Sequence, residues 1–198
     1  MFPRSDLDRV LGLIAQMSST HGQLLVAIDG LGGAGKSTFA AELSAHLPNS
    51  GNVEVDDFYR PMEHSDRSRL APQDGYEQYF DWRRLRDEAL EPLSRQLRAR
   101  FRRYDWATNG LADWRDVAPQ DVVIVEGVFS TRPELRPLLG VTVYVDTSPE
   151  VRVARMRARR YEDLNWLESW MAAEEWYVEH IRPAEHVDLV LDGSGSSS

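Results

Sequence analysis

The residues with the most chemically definite spacing are Gly30-Leu31-Gly32-Gly33-Ala34-Gly35-Lys36-Ser37, which read G-x-x-x-x-G-K-[ST]. In such a loop the backbone N–H groups converge on the α- and β-phosphates of a nucleotide, the lysine reaches the β/γ oxygens and the serine hydroxyl ligates Mg²⁺. Thr38 continues the series into the first turn of the following helix, whose dipole favours an anion at that end. Lys36 is the one lysine among 23 basic residues, the other 22 being arginine, and it stands where phosphate geometry suits a compact ammonium. Glu126 closes the apolar run Val122-Val123-Ile124-Val125. A carboxylate there is costly unless it meets water, a metal or a partner, so Glu126 is the expected second metal ligand, with a capping acid before Gly127 as the plainer reading. Asp56 and Asp57 end a short strand, where adjacent side chains point oppositely. One of them is therefore expected to face the γ-phosphate and to orient or deprotonate an acceptor hydroxyl.

Arg152, Arg155 and Arg159 share one helix face by the three- and four-residue rule, a face that could close over the β- and γ-phosphates with Arg155 stabilising the transferred group. An exposed arginine helix paired with acids is the alternative. Tyr59, Tyr79, Phe80, Trp82, Tyr104 and Trp106 bracket the middle of the chain, either walling a flat substrate or packing. The five histidines have no metal-ligand spacing.

These residues need elements to carry them. Leu24 to Ile28 reads as a buried strand and Ser37 to Leu43 as an amphipathic helix, the context a phosphate loop requires. Before them, Ser5 and Asp8 make a capping-box-like start for a helix bearing Leu7, Val10, Leu11, Ile14 and Met17, expected over the sheet edge. Val53-Glu54-Val55 is a second strand, and strand-helix-strand implies a right-handed parallel unit with function at the strands' carboxyl ends. Residues 60–79, with Pro61, Pro72 and Gly75, read as a long surface loop. Asp81 is a plausible N-cap for a helix over 83–100. Arg102 to Trp106 reads as a short strand and Thr108-Asn109-Gly110 as a turn. Strands at 122–127, 141–146 and 187–191, a short helix between the first two, and helices from Pro149 and to about Ile181 complete an α/β doubly wound pattern of five strands, mostly parallel, with helices on both faces. A single domain over 1–192 is expected, with an acceptor-side insertion at about 60–110, a lid at about 152–165 and a flexible tail over 193–198.

Composition narrows the field. With 198 residues, 42% hydrophobic, the chain can bury one full core. Its net charge of -9 argues against nucleic acid or an anionic membrane surface, both of which are held by clustered positive charge. No cysteine is present, so neither disulfides nor a thiolate nucleophile enter, and no long apolar segment or signal core is visible. A cytoplasmic setting is expected. The oligomeric state, including a homo-oligomer, stays open.

From Ile28-Asp29-Gly30 to Asp188-Leu189-Val190-Leu191 the chain resembles the uridine kinase-like group of P-loop kinases, the wider set with phosphoribulokinase and pantothenate kinase. Asp56-Asp57-Phe58-Tyr59 resembles the family's Asp-x-Phe-Tyr motif, which implies Asp56 as the catalytic aspartate. Phe80-Asp81 is similar to the motif whose aspartate binds the ribose hydroxyls, and Tyr104-Asp105-Trp106 to the Tyr-Asp-Phe element flanking the base. Val125-Glu126-Gly127 and the Arg152, Arg155, Arg159 spacing are similar to the family's Glu-Gly strand end and lid. Where the family usually carries a base-reading histidine, this chain has Thr108-Asn109, so Asn109 presents a donor and an acceptor differently. The resemblance implies transfer of the ATP γ-phosphate, with Mg²⁺, to a small-molecule hydroxyl. A nucleoside such as uridine or cytidine is the leading acceptor, with Tyr59, Asp81, Tyr104 and Asn109 on the acceptor side. A kinase of a sugar, vitamin or antibiotic, or a regulatory module with weak ATPase activity, is the alternative.

Overall fold

The computed structural model describes residues 2–18, 23–158 and 164–195. In chain order its elements are α1 (Arg4–Ser18), β1 (Leu24–Asp29), α2 (Lys36–Ser44), β2 (Ser50–Glu54), a 3₁₀ turn (Val55–Phe58), α3 (His64–Arg67), α4 (Pro72–Gln78) and α5 (Trp82–Arg84). A π-helical stretch (Leu85–Leu90), α6 (Glu91–Ser94), β3 (Ala99–Asp105), β4 (Gly110–Val117), β5 (Val122–Glu126), β6 (Val141–Asp146), α7 (Pro149–Ala158), α8 (Leu164–Ile181) and β7 (Leu189–Asp192) follow.

Strands β2-β5-β1-β6-β7 form one sheet in that order, every pairing parallel. Both faces are covered, which is why β1 and β5 are apolar up to their last residues, Asp29 and Glu126. Leu24, Val26, Ile28, Val122 and Ile124 meet Leu7, Val10 and Ile14 of α1 and Phe39 and Leu43 of α2. Their neighbours Leu25, Val123 and Val125 meet Leu85, Leu93, Phe101, Trp170 and Tyr177 on the other side. Each aliphatic side chain buried this way contributes about 1.5 to 3 kcal/mol. Among the described residues, no helix is long and apolar enough to cross a membrane.

The parallel register sets up function at one end. Ile28 aligns with Glu126, and Glu54 with the same Glu126. The carboxyl ends of β1, β5 and β2 are therefore adjacent, and the segments that follow each of them meet.

Several expectations are corrected. Helix α1 lies over β1 and β6 in the middle of the sheet rather than over its edge, and it begins at Arg4 with Pro3 O accepting from Asp6 N at 3.0 Å, so Ser5 lies in the first turn and is not the cap. Residues 60–79 contain α3 and α4: Pro72 is a helix start and Gly75 sits where α4 packs against Ala173 of α8. The helix expected to run to Arg100 stops at Ser94. Gln96 N donates to Leu93 O and Leu97 N to Pro92 O, both at 2.9 Å, with Gln96 at φ 59. That is a Schellman closure with glutamine in the position glycine usually takes, and Leu97 is left 57% exposed. The strand near Arg102 is one arm of an antiparallel hairpin, β3–β4, turned through Asn109 at φ 48. Its second arm is half polar and gave no apolar run to read.

Candidate active site

The loop from Gly30 to Ser37 is fixed from outside. Carbonyls repel phosphate, and here those of Gly32, Gly33 and Ala34 are taken by donors from elsewhere: Arg152 Nη1 on Gly32 O at 3.3 Å, Arg155 Nη1 on Gly33 O and Ala34 O at 3.1 and 3.3 Å, and Thr147 Oγ1 on Ala34 O at 2.9 Å. With the carbonyls held there, the N–H groups opening α2 are left for an anion. Gly33 adopts φ 77, and a Cβ on it would lie 2.7 Å from Arg152 O, so loop and α7 pack backbone to backbone. Gly35 caps α2 in the left-handed region at φ 105. Buried Lys36 reaches back to donate from Nζ to Leu31 O at 3.2 Å.

Two buried carboxylates, Asp29 and Glu174, brace this loop, and neither was singled out from the sequence. Asp29 is fully buried at the end of β1. It accepts from Gly30 N at 2.6 Å, Phe129 N at 3.0 Å, Thr131 N at 2.9 Å, Thr131 Oγ1 at 2.6 Å and Tyr177 Oη at 2.6 Å. It therefore ties the start of the loop to the segment after β5 and to α8. Glu174, on α8, accepts from Gly32 N, from Trp170 Nε1 at 2.9 Å and from Arg152 Nη1 at 3.1 Å. Burial pushes its carboxyl above the ordinary glutamate range, while the Gly32 N–H and the Arg152 charge pull it back. A glutamate in a helix offers no local signal for bracing the loop, because Arg152 and Gly32 lie 22 and 142 positions away and the one near donor, Trp170, is four positions back on the same helix.

Beside the loop, Gly32, Gly33, Lys36, Ser37, Asp56 and Glu126 line one part of a cavity of about 290 Å³, and Tyr59, Phe80, Trp106, Trp166 and Trp170 line another. Ser37 Oγ donates to Glu126 Oε1 at 3.1 Å. Burial raises the Glu126 carboxyl, Lys36 lowers it and Asp56 raises it again, a balance that a divalent cation would relieve. A hydroxyl and a carboxylate fit Mg²⁺, which takes one or two protein oxygens and fills its shell with phosphate and water. Gly127, at φ 152, lets the chain leave β5 directly against Val55, where any side chain would collide. That close approach brings the Val55–Phe58 turn, and Asp56 with it, beside Glu126.

The structure separates the adjacent aspartates. They lie in this 3₁₀ turn rather than at the end of the strand. Asp56 lines the cavity, while Asp57 is buried and paired with Arg115 of β4 at 2.6 Å, its carboxyl raised by burial against the pull of that arginine. Of the six aromatic residues read from the sequence, Tyr59, Phe80 and Trp106 reach the cavity, and α8 adds Trp166 and Trp170. Trp166 Nε1 donates to Tyr59 Oη at 3.3 Å and its ring stacks on Trp170 at 5.7 Å. Trp106, 56% exposed, leans on Tyr59 at 4.8 Å at the rim.

Other expected site residues are engaged elsewhere. Asp81 caps Arg84 N at 3.3 Å and lies 3.7 Å from Arg60. Tyr104 Oη donates to Asn109 Oδ1 at 2.7 Å, and Asn109 Nδ2 donates to Met62 O at 2.9 Å. Asn109 thus clips the hairpin turn to the 60–67 segment. None of these three is in the cavity lining. Arg152 is buried and spent on Glu174 and Gly32 O, so it braces the loop from behind. Arg155 also donates to Ser194 O at 3.3 Å and lines a second cavity, of about 330 Å³, with Phe2, Gly33, Gly35, Thr38 and the 192–195 segment. Arg159 lies outside the described residues.

A parallel α/β sheet with a glycine-rich loop on its first strand, a lysine and serine at the helix it opens, and an acidic cavity beside them defines a P-loop phosphotransferase. A family model described as an AAA domain matches residues 26–169. The uridine kinase of Clostridium perfringens is 31% identical over 141 residues, 69% of this chain and 67% of that protein. That of Alkaliphilus metalliredigens is 28% identical over 176 residues, 84% of this chain and 81% of that one. The solved structure of a possible uridine kinase from Bacillus stearothermophilus has the same fold, with a TM-score of 0.71 at 24% identity over 93% of this chain and 98% of that chain. The chain belongs to this AAA-domain family of P-loop proteins and to the uridine kinase-like group of P-loop kinases.

Proposed function

We propose that this chain transfers the γ-phosphate of ATP, with Mg²⁺, to a hydroxyl of a small molecule, a nucleoside such as uridine or cytidine being the leading acceptor. The observation that carries the reading is the shared cavity: Lys36, Ser37 and Glu126 meet Asp56 in one lining, with aromatic faces completing it. A group for phosphate, a pair for metal, a carboxylate for the incoming hydroxyl and a place for the rest of the acceptor are what phosphoryl transfer requires. Lys36 and the loop N–H groups hold the β- and γ-phosphates in line. Mg²⁺ on Ser37 and Glu126 would neutralise charge between them. Asp56 accepts a hydrogen bond from the acceptor hydroxyl and aims its oxygen at the γ-phosphorus; the new P–O bond forms as the bond to the β-phosphate oxygen breaks, and the hydroxyl proton passes to Asp56 or solvent as ADP leaves.

A second reading within the same chemistry, a kinase of another small metabolite, is favoured by the engagement of Asp81, Tyr104 and Asn109 with the protein. The deciding experiment offers ATP and GTP with a panel of nucleosides, sugars, vitamins and aminoglycosides and follows ADP or GDP release with identification of the phosphorylated product. Acceptor-dependent turnover with a nucleoside is the expected result. Turnover confined to another class moves the acceptor there, and release at background with every compound favours a regulatory nucleotide-binding module.

A further inference from the structure

The second cavity also borders the loop, sharing Gly33 with the first while Asp56 and Glu126 are outside its lining. Its walls are Phe2, Gly33, Gly35, Thr38, Arg155, Ala158, Asp192, Gly193 and Gly195. Lys36 and Ser37 mark the β/γ end of a triphosphate, so a nucleotide laid along the loop directs its α-phosphate and nucleoside toward Gly35, Thr38 and this second space. Two flat groups, the Phe2 ring and the Arg155 guanidinium, are among its walls. A Cβ built on Gly35 would find the Phe2 ring edge at 3.5 Å and Arg155 Nη1 at 3.7 Å, so both side chains border the bare glycine. The Arg155 guanidinium is held in place by the carbonyls of Gly33, Ala34 and Ser194. The Phe2 ring is half-buried and packs edge-on against Phe39 at 4.9 Å. Its position is set by α1: Pro3 O accepts from Asp6 N at the first turn, and Leu7, Val10 and Ile14 anchor the helix on the sheet.

From this geometry we infer that Phe2 is a binding residue for the nucleotide donor, stacking on the flat base that enters this second cavity alongside Arg155. The inference rests on the donor reading given above and adds to it a contact from the segment preceding α1. Base–aromatic stacking draws on the π-face that every base has, so Phe2 strengthens binding of adenine and guanine nucleotides alike and leaves the phosphate contacts untouched.

The test compares the full chain with Phe2→Leu and Phe2→Trp for binding of MgADP and of magnesium tripolyphosphate, by calorimetry. Leucine keeps apolar packing on Phe39 and loses the aromatic face; tryptophan enlarges the face and strains the packing. The expected result is a roughly 5- to 100-fold weaker ADP affinity for Phe2→Leu, an affinity for Phe2→Trp at least equal to that of the unaltered chain, and tripolyphosphate affinity within about twofold throughout. ADP binding unchanged in Phe2→Leu overturns the inference, as does a parallel loss of ADP and tripolyphosphate, which would mark Phe2 as packing alone. An unaltered chain that binds tripolyphosphate but not ADP overturns the donor reading itself.

Discussion

Replacing Glu174 by glutamine should expose how much of the phosphate loop is held from α8. The carboxylate is 1% exposed, its partner Arg152 is 8% exposed at the side chain, and the two are 3.1 Å apart. Removing the negative charge leaves a buried guanidinium that cannot shed its proton. It also sets the glutamine NH₂ among donors from Gly32, Trp170 and Arg152. Breaking a buried pair in this way costs about 3 to 5 kcal/mol, which for a chain of this size lowers Tm by about 6 to 20 °C. The reciprocal Arg152→Met should cost less, because the orphaned carboxyl keeps the Gly32 and Trp170 N–H groups and can take up a proton. The double variant should recover part of the loss, since it no longer holds a buried guanidinium without its counter-charge. Denaturant unfolding of the four proteins closes the cycle. A double variant whose loss equals the sum of the single losses within about 0.5 kcal/mol would refute the coupling.

Asp56→Asn should leave ADP affinity within about twofold and lower acceptor-dependent kcat by about 10²- to 10⁴-fold in steady-state assays; undiminished turnover would remove Asp56 from the reaction. Burial raises the phenols of Tyr59, Tyr76, Tyr79, Tyr144 and Tyr177 above their ordinary value. Each is held neutral in the folded chain, whereas the unfolded chain ionises near pH 10. Their stabilising contribution is thus complete below about pH 10 and falls as pH rises beyond it. Phenolate absorbance from these five should appear together with loss of near-ultraviolet dichroism, and ionisation within a fully folded chain would contradict the burial argument.

Local signals were sufficient for the phosphate loop, its strand and its helix, because a glycine-rich turn between an apolar run and an amphipathic one depends on neighbours a few residues apart. The same holds for the inner strands β1, β5 and β6, whose both-sided burial writes itself into runs such as Val122 to Val125. Local reading failed where the partner is distant. Pro72 and Gly75 looked like loop residues because α8, the surface that receives α4, is about a hundred positions on. Gly110 to Val117 passed unread as a strand, since its partner is one hairpin arm rather than the core. Leu97 continued a helical spacing that a left-handed Gln96 cuts short.

By itself, then, the sequence determined a nucleotide-type loop on a parallel α/β sheet and the candidates Lys36, Ser37 and Glu126, since backbone geometry and residue type carry those, and narrowed the fourth to Asp56 or Asp57, between which only the family resemblance chose. Only the tertiary structure decided which groups face the cavity. The shared register of β1, β2 and β5 brings Glu126 and Asp56 to one wall. Packing of α8 adds Trp166 and Trp170, Glu174 holds Arg152 against the loop, and Asn109 is drawn to Met62. The reason is physical: a buried polar side chain goes where its hydrogen bonds can be completed, and only the folded chain fixes where those partners stand.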